Sequence, residues 1–209
     1  MKKIILILLL FVPLMVFGCV WANDVNLAFI PSTTVLKASS NQLDFLIPQA
    51  AVQFLKSNSD YMLFLQQYEQ DNSNIPALQE ALNNAIDNLK KASETYIEIK
   101  TISTQTPYNL EVLNLLSSFN YSRFQNVRGL IPDIFQTVRF FLIRGNITGV
   151  FNYMHKNLLE ISNRLDKEKK LLDNGMIPNI KNLWDINQRY TNLMLFGQYA
   201  SQVFKEIIK

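Results

Sequence analysis

Apolar residues recur in alternating steps of three and four along the last two segments of the chain, and this repeat constrains the fold most strongly. Such a repeat lies on one face of a helix that packs along a partner. In the last segment the face comprises Leu183, Ile186, Tyr190, Leu193, Gly197, Ala200, Phe204 and Ile207. In the preceding segment it comprises Ile147, Phe151, Met154, Leu158, Ile161, Leu165 and Leu172, and Glu168 alone breaks the pattern.

The stretch between these segments contains Asp173, Asn174, Gly175 and Pro178. Residues of these types end one helix and begin the next. Because a short connection forces neighbouring helices to run in opposite directions, the sequence predicts a long antiparallel hairpin at this end of the chain.

Similar apolar stripes, each a row of apolar residues along one helical face, predict further helices over residues 43–70, 76–103 and 108–128. No run alternates apolar and polar residues as a strand would. Residues 132–144 are apolar around most of a helical circumference, which favours a central buried helix. The chain is therefore predicted to be all-α. Residues 43–209 would form an antiparallel up-and-down bundle of four to five long helices, after a signal peptide over 1–22 and an irregular arm or tether over 23–42.

The predicted signal peptide begins with Lys2 and Lys3, and residues 4–17 are apolar. This run is shorter than the roughly 20 apolar residues of a spanning helix and is typical of a secretory leader. Cleavage before Asn23 would release the chain into the periplasm or the medium. Acylation of Cys19 would instead tether it as a lipoprotein, and we expect contact with the membrane only in that way.

The charge and the cysteine content limit the function classes. The whole chain carries 20 basic and 17 acidic residues. The leader holds two of the lysines and no acid, so the mature chain has 18 basic residues against 17 acidic ones. A nearly neutral chain is a poor candidate for nucleic-acid binding, which depends on excess positive charge. Cys19 is the only cysteine, which excludes an intramolecular disulfide.

The shortage of reactive side chains argues against an enzyme. His155 is the only histidine of the chain, and the residue three before it is Asn152. Dinuclear carboxylate sites need two Glu-x-x-His pairs, and zinc needs three or four nitrogen or sulfur ligands. Any Ser-His-Asp triad would have to use His155. We therefore predict no metal, no cofactor and no enzymatic activity.

Five residues are candidates for ligand or partner contact. The region 107–145 contains arginine but no lysine. An arginine side chain can donate two parallel hydrogen bonds to one carboxylate or phosphate group. His155 beside Met154 leaves a histidine–methionine haem site as an alternative to a simple boundary histidine. Gly197 is a small residue on the apolar face of the last segment, where it allows either close packing of two helices or space for a ligand. The candidates are Arg128, Arg139, Arg144, His155 and Gly197.

The leading functional hypothesis is an exported, non-enzymatic helical bundle that acts as a protein-interaction or structural module of the cell envelope. It would present helix faces to another envelope or extracellular protein, or to the envelope itself. One alternative is a carrier of an anionic or haem-like small molecule between helices. A second alternative is a secreted membrane-active factor that uses the apolar residues 130–143.

Overall fold

A computed structural model describes residues 41–105, 110–121 and 132–208, and the predicted leader, the arm up to residue 40 and Arg128 lie outside this part. The described residues form helices and turns without any strand. In chain order the helices are α1 (Asn41–Gln70), α2 (Ile75–Gln105), α3 (Leu110–Ser118), α4 (Pro132–Ile143), α5 (Ile147–Asp173) and α6 (Ile180–Ile208).

The all-helical prediction is confirmed for the described residues. Helices α1, α2, α5 and α6 have between 27 and 31 residues, and each corresponds to a predicted helix within about two residues at its described ends. Pro48 lies inside α1, which begins at Asn41. The count of four to five long helices stays a prediction, because residues 122–131 lie outside the described part.

The four long helices pack side by side in antiparallel order around one core. Pairs of cross-helix hydrogen bonds show the directions. Between α1 and α2, Gln53 bonds to Thr95 and Asp60 bonds to Asn88, so the residue numbers run in opposite order. Between α5 and α6, Arg164 bonds to Asp185 and Glu168 bonds to Asn182, again in opposite order. Helix α2 approaches both α1 and α5 closely along its length, with small residues buried on it. Those residues are Ala81, Ala85 and Ala92.

Helix α6 meets α1 through aromatic rings instead of close backbones. Tyr190 of α6 stacks against both Phe54 and Tyr61 of α1, with ring centroids 5.9 and 5.3 Å apart. The hydroxyl of Tyr61 donates to the carbonyl oxygen of Leu183 at 2.6 Å. Large rings hold the two backbones apart, so side chains make this seam.

A buried hydroxyl pair links three of the long helices. Ser57 Oγ lies 2.7 Å from the carbonyl oxygen of Ala85 and 2.7 Å from the hydroxyl of Tyr190. A carbonyl oxygen can only accept, so the single proton of Ser57 goes to Ala85. The hydroxyl of Tyr190 is therefore the donor to Ser57.

The α5–α6 turn has a defined structure. Gly175 has φ +69°, and its amide donates to Leu172 O while the amide of Met176 donates to Leu171 O, both at 2.9 Å. These two bonds form a Schellman motif, which ends a helix at a residue with positive φ. Asn179 then caps α6, because its side chain accepts from the amide of Lys181 at 2.8 Å.

Two sequence predictions differ from the structure. The helix predicted over 108–128 ends at Ser118, where the hydroxyls of Ser117 and Ser118 bond to Asn114 O and compete with the helical pattern. The segment predicted to be a central buried helix, α4, lies at the periphery. Phe140 and Ile143 on α4 are exposed, because only one face of this helix contacts its neighbours α3, α5 and α6.

No helix in the described part of the chain is both long and apolar enough to cross a membrane.

Candidate functional site

Of the predicted arginines, Arg139 lies on α4 and Arg144 directly follows it, while Arg128 lies outside the described residues. Arg139 is half-buried, and its charge acts on Tyr121 and Tyr199. Burial raises the pKa of both tyrosines, and the positive charge of Arg139 partly opposes this rise. The Arg144 guanidinium lies 4.0 Å from the centroid of the Phe140 ring, a cation–π contact on the surface.

His155 and Gly197 lie within helix interfaces. Nδ1 of His155 is 2.9 Å from Ser93 Oγ and 3.2 Å from Ser93 O, so the ring faces α2. Gly197 is buried in α6. Of the predicted residues that the structure describes, none lines either of the two cavities described below.

Opposite charges alternate along the outer seam between α5 and α6. Arg164 bonds to Asp185 at 2.7 Å and pairs with Glu160 at 3.2 Å. Arg189 bonds to Glu160 at 2.8 Å and pairs with Asp185 at 3.2 Å. All four side chains are between 31% and 47% exposed, so water screens these pairs, and each contributes at most about 1 kcal/mol to stability.

A polar cavity of about 300 Å³ lies on the α4 side of this ion-pair network. Buried within its wall, Asn192 Oδ1 has no hydrogen-bond partner. The cavity lies between α4, α5 and α6, and its lining is mainly polar: Asp133, Thr137, Tyr153, Asn157, Gln188, Arg189 and Asn192, with Ile134 and Leu193.

A second cavity of about 190 Å³ lies toward the hairpin turn and contains Glu168 in its wall. Glu168 is only 5% exposed, at a stripe position between Leu165 and Leu172, which are both buried. Its Oε1 accepts from the side-chain amide of Asn182 at 3.1 Å, whereas Oε2 is buried without a partner. An incompletely bonded buried carboxylate costs folding free energy, so this position is not explained by packing.

The environment of Glu168 favours its neutral form. Burial raises the pKa of this carboxyl, while the bond from Asn182 and the charge of Lys167 act in the opposite direction. The hydroxyls of Tyr61 and Tyr68 lie near enough for the charge of Glu168 to add to the burial that raises their own pKa values. Neither hydroxyl donates to Glu168, because Tyr61 donates to the carbonyl oxygen of Leu183 and Tyr68 donates to that of Pro178.

An apolar patch covers the tip of the α5–α6 hairpin, and we call it the tip patch. It consists of Met176, Ile177, Ile180 and Trp184, which are 41–50% exposed. Ile180 and Trp184 are one helical turn apart on α6 and therefore on one face. Polar residues surround the patch in sequence, and the turn beneath it is anchored by Tyr68, whose hydroxyl donates to Pro178 O at 2.8 Å.

The chain matches no protein-family model, and it has no significant similarity to any curated protein or solved structure.

Sequence reasoning missed both Glu168 and the tip patch as candidate sites, although each leaves a signal in the sequence. Glu168 is the residue that breaks the apolar stripe of α5, and a carboxylate at a stripe position points to a buried polar group. Ile180 and Trp184 are apolar residues outside the stripe of α6, so they could not share its buried face.

Proposed function

We propose that this protein is an exported, non-enzymatic helical bundle that binds another protein of the cell envelope or the extracellular space. The tip patch carries this proposal. Exposed apolar clusters bordered by polar residues mark interaction surfaces, and tryptophan is prominent among the residues that dominate binding energy. Export is supported by the leader pattern of residues 1–22, with Cys19 as the candidate site of lipidation.

The rigidity of the hairpin turn supports a docking role for the tip patch. The Schellman motif, the Asn179 cap and the bond from Tyr68 to Pro178 fix the backbone that carries the patch. A surface that is already ordered loses little conformational freedom when it binds. We therefore expect a partner that offers a complementary apolar cleft to receive Ile180 and Trp184.

Site-specific photo-crosslinking in the cells that produce the protein tests this proposal. A photoreactive phenylalanine analogue at position 184 should form one defined adduct with another protein, and Ile180→Ser should abolish it. The matched control is the same analogue at Leu159, which is 46% exposed on α5 and should give no such adduct. Equal adducts at both positions would contradict a specific role for the tip patch, as would liposome binding that depends on Trp184.

The polar cavity beside Arg189 supports a second candidate, the carriage of a small molecule between helices. Its volume of about 300 Å³ is at the lower end of ligand pockets. Native mass spectrometry of the exported protein distinguishes this candidate, because a carrier should retain a ligand whose mass disappears on denaturation.

A further inference from the structure

We infer that Asn174 is a site of spontaneous deamidation that the closed hairpin turn holds inactive, and that modification there disables the tip patch. The effect on docking rests on the function proposed above, whereas the chemistry does not. Asn174 and Gly175 form the only Asn-Gly pair of the chain, and both are exposed. Glycine has no side chain to hinder its amide nitrogen, so an asparagine before glycine is especially open to this reaction.

The reaction needs only the backbone and water. The amide nitrogen of Gly175 loses its proton and bonds to Cγ of Asn174, and the side-chain nitrogen leaves as ammonia. Water then opens the resulting five-membered succinimide at either carbonyl, which yields aspartate or isoaspartate. Because no oxidant, metal or second protein takes part, the conformation of the turn controls the rate at a given pH and temperature.

The closed turn blocks both requirements of the attack, a free nitrogen and its approach to Cγ. The amide of Gly175 donates to Leu172 O at 2.9 Å, which holds its proton in place. Asn174 has ψ 12°, so the nitrogen of Gly175 nearly eclipses that of Asn174 and points away from its Cβ. The leaving nitrogen, Nδ2, is itself bonded to Lys170 O at 2.6 Å. Deamidation therefore requires the turn to open.

The product does not restore the turn. An aspartate at position 174 has only acceptors, so Lys170 O loses its donor, and the new negative charge lies at the C-terminal end of α5, where the helix dipole disfavours an anion. Isoaspartate adds a methylene group to the backbone of the Schellman motif. Since Met176 belongs to both that motif and the tip patch, deamidation loosens the surface that docks.

Peptide mapping of the exported chain after incubation at mildly alkaline pH tests this inference. Trypsin releases residues 171–181 as one peptide, and mass spectrometry with chromatography counts its aspartyl and isoaspartyl forms. The native protein should deamidate at least about tenfold more slowly than the same chain unfolded in guanidinium chloride, because only the open turn reacts. Equal rates in the two states would overturn the inference.

Two tyrosine variants locate the opening. Tyr68→Phe removes the hydroxyl that anchors Pro178 and should raise the native rate about two- to tenfold without changing the rate in guanidinium chloride. Tyr121→Phe is the matched control, because it removes an equivalent bond to the carbonyl oxygen of Leu116 and should leave both rates unchanged. A wild-type rate in Tyr68→Phe, or equal acceleration in both variants, would contradict control by the turn.

Asn174→Asp mimics one product and tests the consequence. Amide exchange of Gly175 and Met176 should be at least about threefold faster than in wild type, and an unchanged exchange would refute the loss of the turn. In the photo-crosslinking assay this variant should give a weaker adduct at position 184. A wild-type chain without any adduct would contradict the proposed function, and the deamidation rates would still decide the chemistry at Asn174.

Discussion

Replacement of Glu168 by leucine should stabilise the protein. Glu168→Leu places an apolar residue at the one position where the apolar stripe of α5 is interrupted. It also removes the carboxylate whose Oε2 is buried without a partner. Asn182 is exposed, so its amide returns to water when it loses Glu168 and leaves no new unpaired group.

The expected magnitude follows from three contributions. Loss of the charged hydrogen bond from Asn182 costs about 1.5–3 kcal/mol, and burial of a leucine side chain contributes about 1.5–3 kcal/mol, so these two offset each other. Removal of the unsatisfied oxygen leaves a net gain of about 1–3 kcal/mol at neutral pH. For a chain of this size that gain raises Tm by roughly 2–12 °C.

The gain should depend on pH with a definite sign. The folded-state pKa of Glu168 is raised, so the neutral carboxyl favours folding below the unfolded pKa of about 4.3, and this contribution is lost as pH rises through the folded pKa. The advantage of Glu168→Leu over wild type should therefore grow from acid to neutral pH. Lys167, whose charge acts on Glu168, is present in both proteins, and so are Tyr61 and Tyr68, on which the charge of Glu168 acts.

Urea unfolding followed by far-UV circular dichroism at several pH values measures this difference. Equal m-values for Glu168→Leu and wild type would show that the two proteins expose the same amount of surface when they unfold. Glu94→Leu, at an exposed glutamate of α2, is the control and should change stability by less than about 0.5 kcal/mol. A loss of more than about 1 kcal/mol in Glu168→Leu at neutral pH would refute the reasoning, because Glu168 would then be stabilising.

Two further predictions concern buried hydroxyls and the hairpin turn. Ser57→Ala should cost about 1–3 kcal/mol because it leaves the Tyr190 hydroxyl without an acceptor, whereas Tyr190→Phe should cost only about 0.5–1.5 kcal/mol. The double variant should be more stable than Ser57→Ala alone in urea unfolding, and a double variant that is less stable would contradict the idea that the unpaired Tyr190 hydroxyl causes the loss. Gly175→Ala should cost about 1–2 kcal/mol from its positive φ alone, since a Cβ there meets nothing within 4 Å. Thermal unfolding checks this value, and a change below about 0.3 kcal/mol would show that the turn adapts.

The long helices were predictable because their stripes extend over many turns. The alternation of three and four identified the buried face of α5 and α6, and Gly175 marked the turn between them. The apolar pattern could not show which pairs of helices pack most closely. Periodicity locates a buried face but not the helix it contacts, so the close approach of α2 to α1 and α5 emerges only from the structure.

The ends of elements and the surface sites were less predictable. The side chains of Ser117 and Ser118 bond to the helix backbone near the end of α3, a local competition that apolar periodicity does not register. The apolar residues of α4 suggested a central position, yet burial depends on neighbours from distant parts of the chain. Glu168 was visible as an exception, but the sequence could not say whether its carboxylate reached water.

The helix backbones approach more closely at some interfaces of the bundle than at others, and this difference affects its internal motions. Helices α1, α2 and α5 are joined by close backbone approach, while α6 is held to α1 by rings and a few hydroxyl bonds. Local opening follows the regions with the fewest close contacts, so among the four long helices α6 should separate first. Amide hydrogen exchange would then report a lower protection for α6, and each such opening would widen the cavity at Glu168 to the solvent.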